Sequence, residues 1–535
     1  MKNFTKAALS LSVAALLGGC NGTGPNVEKQ ASDDAVPVYK PYREQYRPQF
    51  HYTPKKNWMN DPNGLVYHDG EYHMFYQYNP YGDRWGHMSW GHAISTDLVH
   101  WEEQGVAILE DEDYMIFSGS AVVDHGNTTG FGTDENPAMV AIYTGHSQVP
   151  GGDQNQQLAY STDNGRTWTK YEGNPVLDEN MEHFRDPKVV WHEESEQWLM
   201  IITLSEDFAV NFYGSPNLKD WTLLSQFTAE GAPVDKNWEC PDMWYLPIDG
   251  DPNNKRWVLE VDLGDGSIAG GSGGMYFIGD FDGETFTTDT SILPDSAEGP
   301  HQFVDFGADY YAAVSWSNVP EDDGRALWVG WMNNWDYANY IPTHPWRSSQ
   351  SIPRSVGLTE FNGGLAMAQQ PVEELKALRT REITAENQSL SNNRVSLTDS
   401  AGIYGQTLEL KVTFEPEDAD EFGIDVLVGD GEKTTISYNV HSEEISFDRS
   451  QSGDVDFHEK FSGVHVAPMP LDDGKVELHI FVDWSSVEVF AHRGAVVFSN
   501  KVFPHHESKG VEVFSRGGTT RISDIQAWPL KSIWQ

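Results

Sequence analysis

Apolar and polar residues alternate along much of this chain, with the two-residue period of a β-strand. A clear example is residues 65–76, where two alternating runs flank Asp69-Gly70. An Asp-Gly pair between alternating runs is typical of a tight β-hairpin turn. The pattern therefore predicts strands joined by hairpins as the main elements of the fold.

Three short segments resemble one another and divide the first two-thirds of the chain into similar units. They are residues 95–101, 161–168 and 215–221, and residues 279–286 form a looser copy. Each predicts a turn closed by a buried tryptophan or phenylalanine. Successive copies start 66, 54 and 64 residues apart, about the length of four strands with their connections. This period predicts a β-propeller of roughly five blades over residues 46–370.

The alternating strand pattern is interrupted after residue 370 by a charged segment. We predict a linker over residues 371–390, which begins with a short charged helix at 373–379. Residues 391–535 return to strand-like alternation with Gly and Asp turns, which predicts a β-sandwich. The predicted fold class is therefore all-β, a five-bladed propeller followed by a C-terminal sandwich.

The charge of the chain narrows the range of partners. Its 535 residues carry 81 acidic and 35 basic side chains, a formal net charge of −46. Such an excess argues against nucleic acid as a partner and against a basic patch that binds anionic lipid. With 19 Trp, 22 Tyr and 25 Phe the chain has ample apolar surface for the cores of two domains.

The first residues have the pattern of an export signal, with Lys2 and Lys6 before an apolar run at 7–17. The run ends in Leu-Gly-Gly-Cys, which resembles the lipobox of bacterial lipoproteins. We therefore predict a signal peptide over residues 1–19, lipidation of Cys20 and a linker over 20–45, with Asn21 favouring an outer membrane or cell surface. The alternative is an ordinary cleaved signal peptide. The other cysteine is Cys240, so no intramolecular disulfide is expected once Cys20 is acylated.

Acidic residues recur where the first strand of a unit begins. Asp61 and Asp186 each stand directly before a proline, and Glu239 lies at the start of a later unit. Proline cannot donate to a strand ladder and favours an extended conformation in the residue before it. If these segments are the innermost strands of successive blades, the three acids meet in one axial cavity, which is an active-site geometry.

In this order, Asn-Asp-Pro-Asn-Gly at 60–64, Arg-Asp-Pro at 185–187 and Glu-Cys at 239–240 resemble glycoside hydrolase family 32, which includes invertases and fructan hydrolases. The resemblance extends to Phe-Ser-Gly-Ser at 117–120 and Trp-Met-Asn-Asn-Trp at 331–335. It implies a five-bladed propeller followed by a sandwich. It also implies that Asp61 is the nucleophile, Glu239 the acid/base and Asp186 the transition-state stabiliser of a retaining hydrolase.

The resemblance implies a sugar pocket whose polar groups pair with hydroxyls and whose aromatic rings pack on the sugar. The residues are Trp58, Asn60, Gln77, Trp85, Phe117, Ser118, Arg185 and Trp335. We expect Arg185 to keep Asp186 ionised and the two neighbouring carboxylates to keep Glu239 protonated. If Trp238 and Trp244 line the site, desolvation adds to this effect. Cys240 is either a small buried apolar residue or a neighbour that adjusts Glu239.

The spacing of His87, His92 and His100 fits no standard metal-ligand pattern, so neither a metal nor a cofactor is expected. The motifs look most like those of exo-acting levanases and inulinases, so we expect release of terminal fructose from levan, inulin and sucrose. Alternatives are a sucrose-specific invertase, a fructosyltransferase, an inverting furanoside-cleaving propeller and a non-catalytic fructan-binding propeller. Fructan and the lipid anchor are the expected partners, and no protein partner is predicted.

Overall fold

The computed structural model describes residues 41–297 and 299–534, and these residues are almost entirely β-structure, as predicted. The predicted signal peptide and Cys20 lie outside them. Within the described ranges there is one α-helix, α1 (Leu397–Ala401), and five 3₁₀ helices, Ser205–Asp207, Thr290–Ile292, Ala338–Tyr340, Glu373–Leu378 and His492–Gly494. No helix among those residues is long and apolar enough to cross a membrane.

The first three propeller blades are separate antiparallel sheets. Blade I contains β1 (Asn57–His68), β2 (Glu71–Asn79), β3 (Ser89–Ser95) and β4 (Glu102–Ile108). Blade II contains β5 (Tyr114–Asp124), β6 (Ala138–Ser147), β7 (Gln154–Ser161), β8 (Thr169–Lys170) and β9 (Leu177–Met181). Blade III contains β10 (Phe184–His192), β11 (Gln197–Leu204), β12 (Ala209–Ser215) and β13 (Thr222–Phe227).

The last two blades share one larger sheet, joined where Ile248 pairs in parallel with Leu358. Blade IV contains β14 (Trp238–Ile248), β15 (Asp251–Leu263), β16 (Gly273–Phe281), β17 (Phe286–Thr288) and β18 (Gln302–Phe303). Blade V contains β19 (Tyr311–Ser315), β20 (Ala326–Trp331), β22 (Arg354–Phe361) and β23 (Gly364–Pro371). Strand β21 (Trp346–Arg347) lies between β20 and β22 in the sequence. It pairs in parallel with β1 and so links blade V back to blade I.

The first strand of each blade lies at the centre of the propeller, where β1, β5, β10, β14 and β19 contact one another in a closed ring. The predicted number of five blades is thus confirmed. Strands β1 to β3 are buried on both faces, whereas β4 alternates between exposed and half-buried side chains. Neighbouring blades cover both faces of the inner strands, so these strands are nearly continuous in buried residues.

The repeated segments are the turns that follow the third strands of blades I to IV. In blade I, Asp97 Oδ1 accepts hydrogen bonds from the backbone N–H groups of Val99 and His100, which closes the turn. The indole N–H of Trp101 donates to Leu98 O. Trp101 is half-buried, whereas the repeat predicted a buried ring. The turn lies at the rim of the blade, where only one face of the ring is covered.

The C-terminal domain is a sandwich of two antiparallel sheets with one shared hydrophobic core, as predicted. One sheet contains β24 (Ile383–Thr384), β25 (Gln388–Ser391), β27 (Leu408–Pro416), β32 (Val476–Asp483), β33 (Ser486–Ala491), β34 (Val496–Lys501) and β36 (Thr519–Pro529). The other contains β26 (Arg394–Ser396), β28 (Glu421–Val428), β29 (Thr434–Asn439), β30 (Glu444–Asp448), β31 (Val464–Pro468) and β35 (Gly510–Arg516). The charged segment after the propeller forms the 3₁₀ helix Glu373–Leu378.

Buried charged groups join the propeller to the sandwich, and we call them the junction network. Arg354 of blade V donates to Glu488 Oε1 at 2.6 Å and to Asp305 Oδ2 at 3.3 Å. His51 lies between Asp483 Oδ2 at 2.8 Å and Glu488 Oε2 at 2.9 Å. Each carboxylate therefore faces a group that carries or can carry positive charge, which compensates its burial.

Candidate active site

The five inner strands share one irregularity, a β-bulge where each pairs with the second strand of its blade. The bulges lie between Met59 and Pro62, Ile116 and Gly119, Arg185 and Lys188, Glu239 and Asp242, and Tyr311 and Val314. A bulge re-aims side chains and often occurs beside active sites. Since the inner strands form a ring, five bulges at the same level direct side chains from all blades towards one end of the channel.

Prolines occupy three of these bulges, directly after Asp61, Asp186 and Cys240. Proline is tolerated there because a bulge does not require its missing N–H. Asp186 and Cys240 have φ values of 65° and 45°, in the left-handed region that non-glycine residues rarely adopt. Such strain persists where the surrounding structure enforces it, and it is concentrated at functional sites.

The bulges surround a pocket of about 310 Å³ at this end of the channel. Its lining contains all three predicted catalytic acids and seven of the predicted sugar-binding residues. The lining residues are Asn60, Asp61, Gln77, Trp85, Phe117, Ser118, Arg185, Asp186, Lys236, Asn237, Glu239, Gly264 and Trp335. The remaining predicted residue, Trp58, is fully buried behind Trp335 and stacks on it with ring centroids 5.9 Å apart. Trp58 also fixes Asn60, because its indole N–H donates to Asn60 Oδ1 at 2.7 Å.

Asp61 is buried and is held by neutral hydrogen-bond donors. Ser118 Oγ donates to Asp61 Oδ2 at 2.7 Å, and Asn60 Nδ2 donates to Oδ1 at 3.1 Å. Burial raises the pKa of Asp61 to about 6, an effect that the hydrogen bond from Ser118 opposes and the charge of Glu239 increases. The carboxyl group is therefore mostly ionised at neutral pH and oriented by both of its oxygens.

Asp186 lies beside Asp61, and Cys240 connects them. The backbone N–H of Cys240 donates to Asp186 Oδ2 at 3.1 Å, and its Sγ lies 3.6 Å from the same oxygen and 3.9 Å from Asp61 Oδ2. Burial among these carboxyl groups raises the pKa of the thiol well above its usual value, so it stays protonated. Of the two roles expected for Cys240, the structure therefore supports a small buried residue, with direct contacts to both aspartates.

Glu239 is fixed by two partners, one on each oxygen. Arg185 donates to Glu239 Oε1 from Nε at 3.0 Å and from Nη2 at 2.8 Å. The hydroxyl of Tyr311, which is buried, makes a short contact with Glu239 Oε2. The carboxyl group of Glu239 is thereby held at the mouth of the pocket, where it is more exposed than either aspartate.

Two electrostatic expectations were wrong. Arg185 was expected to keep Asp186 ionised, but burial raises the pKa of Asp186 by more than the charge of Arg185 lowers it, and Glu239 and Asp61 raise it further. Arg185 lies 3.9 Å from Asp186 and binds Glu239 more closely. Trp238 and Trp244 were expected to desolvate Glu239 if they lined the site, and they do not line the pocket. Instead they pack between strands, Trp238 against Phe277 and Trp244 against Trp328, because alternate side chains of β14 face the blade cores.

Tyr311 is the main residue that sequence reasoning missed. It lies at the bulge of β19, the position in blade V that corresponds to Glu239 in blade IV. The repeat marked no entrance to blade V, and only the apolar run at 310–314, about one blade length after Glu239, could have pointed to it. Lys236, Asn237 and Gly264 were also missed, because they lie in loops that precede or follow strands of blade IV.

The three histidines considered as metal ligands have separate partners. His87 contacts Glu110 Oε1 at 2.7 Å, His92 contacts His73 at 3.1 Å, and His100 contacts Asp97 Oδ2 at 2.8 Å. Within residues 41–297 and 299–534, no group of three or more His, Cys, Asp or Glu side chains has the geometry of a metal site.

Known proteins are similar to this chain over most of its length. The levanase of Bacillus subtilis strain 168 is 46% identical over 92% of this chain and 72% of its own length. The extracellular exo-inulinase of Aspergillus awamori is 39% identical over 92% of this chain and 96% of its own length. The crystal structure of an A. awamori exo-inulinase superposes with a TM-score of 0.84 over 92% of this chain and all of that chain, at 39% identity.

A fructofuranosidase from Schwanniomyces occidentalis, solved in complex with fructose, superposes with a TM-score of 0.83. It is 31% identical and covers 92% of this chain and 100% of that chain. The N-terminal domain of glycosyl hydrolases family 32 matches residues 51–371, and the C-terminal domain of the same family matches residues 374–529. Propeller, sandwich and three-acid pocket therefore have one explanation: this chain belongs to glycosyl hydrolases family 32.

Proposed function

We propose that this protein is a retaining exo-β-fructosidase that releases terminal fructose from levan, inulin and sucrose. The observation that carries the proposal is the meeting of Asp61, Asp186 and Glu239 in one small pocket. Retaining glycosidases need one carboxyl group as a nucleophile and another as acid and then base. The similarity to a levanase and to exo-inulinases supports a fructan as the substrate.

In the first step, Asp61 attacks the anomeric carbon of the terminal fructosyl unit while Glu239 protonates the departing oxygen. A covalent fructosyl-enzyme forms on Asp61, and Glu239 then activates the water that hydrolyses it, with retention of configuration. Ser118 and Asn60 support the proposal for Asp61, because they orient its carboxylate and leave it ionised above about pH 6. Arg185 and Tyr311 orient Glu239 in the same way.

Asp186 is proposed to stabilise the transition state by hydrogen bonds to fructosyl hydroxyls, which strengthen as positive charge develops on the ring. The hydrogen bond from the Cys240 N–H and the strained backbone of Asp186 keep that carboxyl group in place before substrate binds. Such preorganisation reduces the reorganisation needed during the reaction.

Exo attack is favoured by the size and walls of the pocket. A cavity of about 310 Å³ fits the end of a sugar chain, whereas an endo-acting enzyme needs an open cleft for its interior. Trp85 and Phe117 form one aromatic wall with ring centroids 6.2 Å apart, and Trp335 forms part of another. Aromatic faces pack well on the apolar faces of sugar rings.

The products released over time from levan, inulin and sucrose test this function. Fructose alone from the earliest time points is expected from both polymers, while mixed oligosaccharides would mean endo attack. Hydrolysis of sucrose only would mean an invertase, and growth of longer saccharides would mean a transferase. The Glu239→Gln variant should lose activity on all three substrates, with the exposed Glu477→Gln as the matched control. Near-normal fructose release by Glu239→Gln would remove the acid/base assignment and leave the binding-protein alternative open.

We also propose that the protein is exported and anchored by lipid at Cys20, on the strength of the sequence at 1–20. The extracellular location stated for the exo-inulinase relative supports export. The lipid anchor is proposed from the sequence before and including Cys20 alone. In a bacterial host, incorporation of labelled fatty acid is expected in the parent protein and not in Cys20→Ala. Equal labelling of both would refute the anchor.

A further inference from the structure

A second cavity, which we call the distal pocket, lies at the opposite end of the inner strands from the catalytic acids. Its volume is about 530 Å³. It is formed at the ends of β5 and β10, the inner strands of blades II and III, and by the residues that follow β19 in blade V. Its lining residues are Val122, Val123, His125, Gly126, Thr128, Val190, Trp191, Glu193, Trp198, Ser317 and Asn318. Cavities of this size are typical of small-molecule binding sites.

The distal pocket has an aromatic platform. The side chain of Trp191 is 38% exposed. Its ring packs edge-to-face against Trp198, with centroids 5.1 Å apart and ring planes at 72°, and this contact holds it in place. Trp198 is itself fixed, because its indole N–H donates to Thr128 Oγ1 at 3.0 Å. The large ring of Trp191 is thus supported from behind and open to solvent, although burial would stabilise it.

Polar groups beside this platform are available for hydrogen bonds. Neither the indole N–H of Trp191 nor the carboxylate of Glu193, two residues along the same hairpin, has a hydrogen-bond partner among the described residues. On the other side of the pocket, His125 Nε2 lies 3.0 Å from Asn318 Oδ1, and Asn318 Nδ2 donates to Tyr67 O at 2.8 Å. The pocket therefore offers a free donor and a free acceptor next to an exposed ring.

The charges of the pocket disfavour an anionic ligand. No lysine or arginine lines it, and the chain as a whole carries a net charge of −46, so an anion would be repelled. An exposed indole with adjacent hydrogen-bonding groups suits a molecule that has both apolar faces and hydroxyl groups. A sugar ring has this combination.

We propose that the distal pocket binds internal fructosyl units of the same polysaccharide whose chain ends enter the catalytic pocket. Trp191 packs on a furanose ring, and Glu193 accepts hydrogen bonds from its hydroxyls. Trp191 lies five residues beyond Asp186 on β10, about 16 Å along the strand, so a bound segment leaves the catalytic pocket free. Holding the polymer at this second site raises the local concentration of chain ends. The inference rests on the proposed fructan substrate.

Retardation in native gels that contain levan tests the proposal. The parent for this assay is Asp61→Asn, which leaves the polymer intact, and all variants compared have the same catalytic pocket. Adding Trp191→Ala is expected to weaken binding of levan about fivefold, the effect of losing one ring contact. Glu193→Ala should weaken it less, and Tyr404→Ala, which removes another exposed ring in the sandwich domain, should not change it.

In the active enzyme, Trp191→Ala is expected to raise the apparent KM for levan and to leave the kinetics on sucrose unchanged. Unchanged retardation in both distal variants would overturn the proposal. A parallel loss of sucrose hydrolysis would also overturn it, because Trp191 would then act through the fold or the catalytic pocket. If the wild-type enzyme releases no fructose from levan, the proposed function fails, whereas retardation of Asp61→Asn still reports whether the distal pocket binds the polymer.

Discussion

The catalytic pocket and the junction network both contain buried carboxyl groups, but the cost of burying them is compensated by different partners in the two regions. Asp61 receives hydrogen bonds from the neutral side chains of Ser118 and Asn60, and burial raises its pKa to about 6. Burial also raises the pKa of Glu488, but Arg354 and His51 outweigh it and lower the pKa below its usual value. Two buried carboxyl groups thus have pKa values shifted in opposite directions. The difference indicates that the buried acids of the pocket lower the stability of the fold and have pKa values suited to catalysis. In the junction network, cations neutralise the buried carboxylates that hold the two domains together.

The largest expected difference between the two regions is in activity. Asp61→Asn should lower kcat on sucrose by about 10⁴-fold or more, because no nucleophile remains, and should leave the protein folded. Its counterpart in the junction is Asp483→Asn, at a carboxylate that accepts hydrogen bonds from the backbone of Gln49 and Phe50 and from His51. That variant should keep its kcat and melt at a lower temperature. More than a tenth of the activity remaining in Asp61→Asn would refute its role as nucleophile.

The next effect is on stability. Arg354→Met leaves Asp305 buried without a cation and Glu488 with His51 alone, which should cost about 3–5 kcal/mol of unfolding free energy. Arg325→Met is the control, because Arg325 pairs with Asp323 and Glu374 nearer the surface and should contribute about 1 kcal/mol or less. Urea unfolding measures both. Equal urea midpoints for the two variants would contradict the importance assigned to the junction network. At urea concentrations below the unfolding transition, each variant should hydrolyse sucrose with normal kinetics.

The pH dependence of stability should have opposite signs in the two regions. Asp61 has a folded pKa of about 6 against a reference of 3.8, so its burial lowers stability increasingly as pH rises from 3.8 to 6. Asp61→Asn should therefore be more stable than wild type at pH 7, by up to about 3 kcal/mol, with no such gain below pH 4. Glu488 has a lowered pKa, so its contribution is present above its unfolded pKa and is lost as pH falls through the folded value.

Melting temperatures of wild type, Asp61→Asn and Glu488→Gln between pH 4 and pH 8 measure these opposite trends. The gap between Asp61→Asn and wild type should widen as pH rises. The penalty of Glu488→Gln should be greatest at neutral pH and shrink in acid. Parallel curves for all three proteins would show that neither carboxyl group has a shifted pKa.

How far the sequence could predict these regions depends on the range of the interactions. The acids at 61, 186 and 239 were predictable because each has a local signature, and the blade period placed them in one channel. Arg354, Glu488 and His51 have no such signature, since they lie on different elements up to 437 residues apart and are related only by domain packing. The balance of charges around Asp186 also depends on burial and on Å-scale distances, which spacing along the chain does not contain.

Two tyrosines give the smallest and most specific comparison. Tyr311 contacts Glu239 Oε2 in the pocket, while Tyr337 donates to Asp309 Oδ1 at 2.8 Å and accepts from Arg449 Nη2 at 2.9 Å beside the sandwich. Each Tyr→Phe change removes a hydroxyl that contacts a carboxyl group, and with it a hydrogen bond worth about 1.5–3 kcal/mol. Tyr311→Phe should therefore lower kcat/KM for sucrose by about 10-fold to 100-fold, with little change in melting temperature. Tyr337→Phe should lower the melting temperature and leave kcat/KM unchanged. If both variants lose stability and neither loses activity, Tyr311 is a packing residue, and Arg185 is the group that orients Glu239.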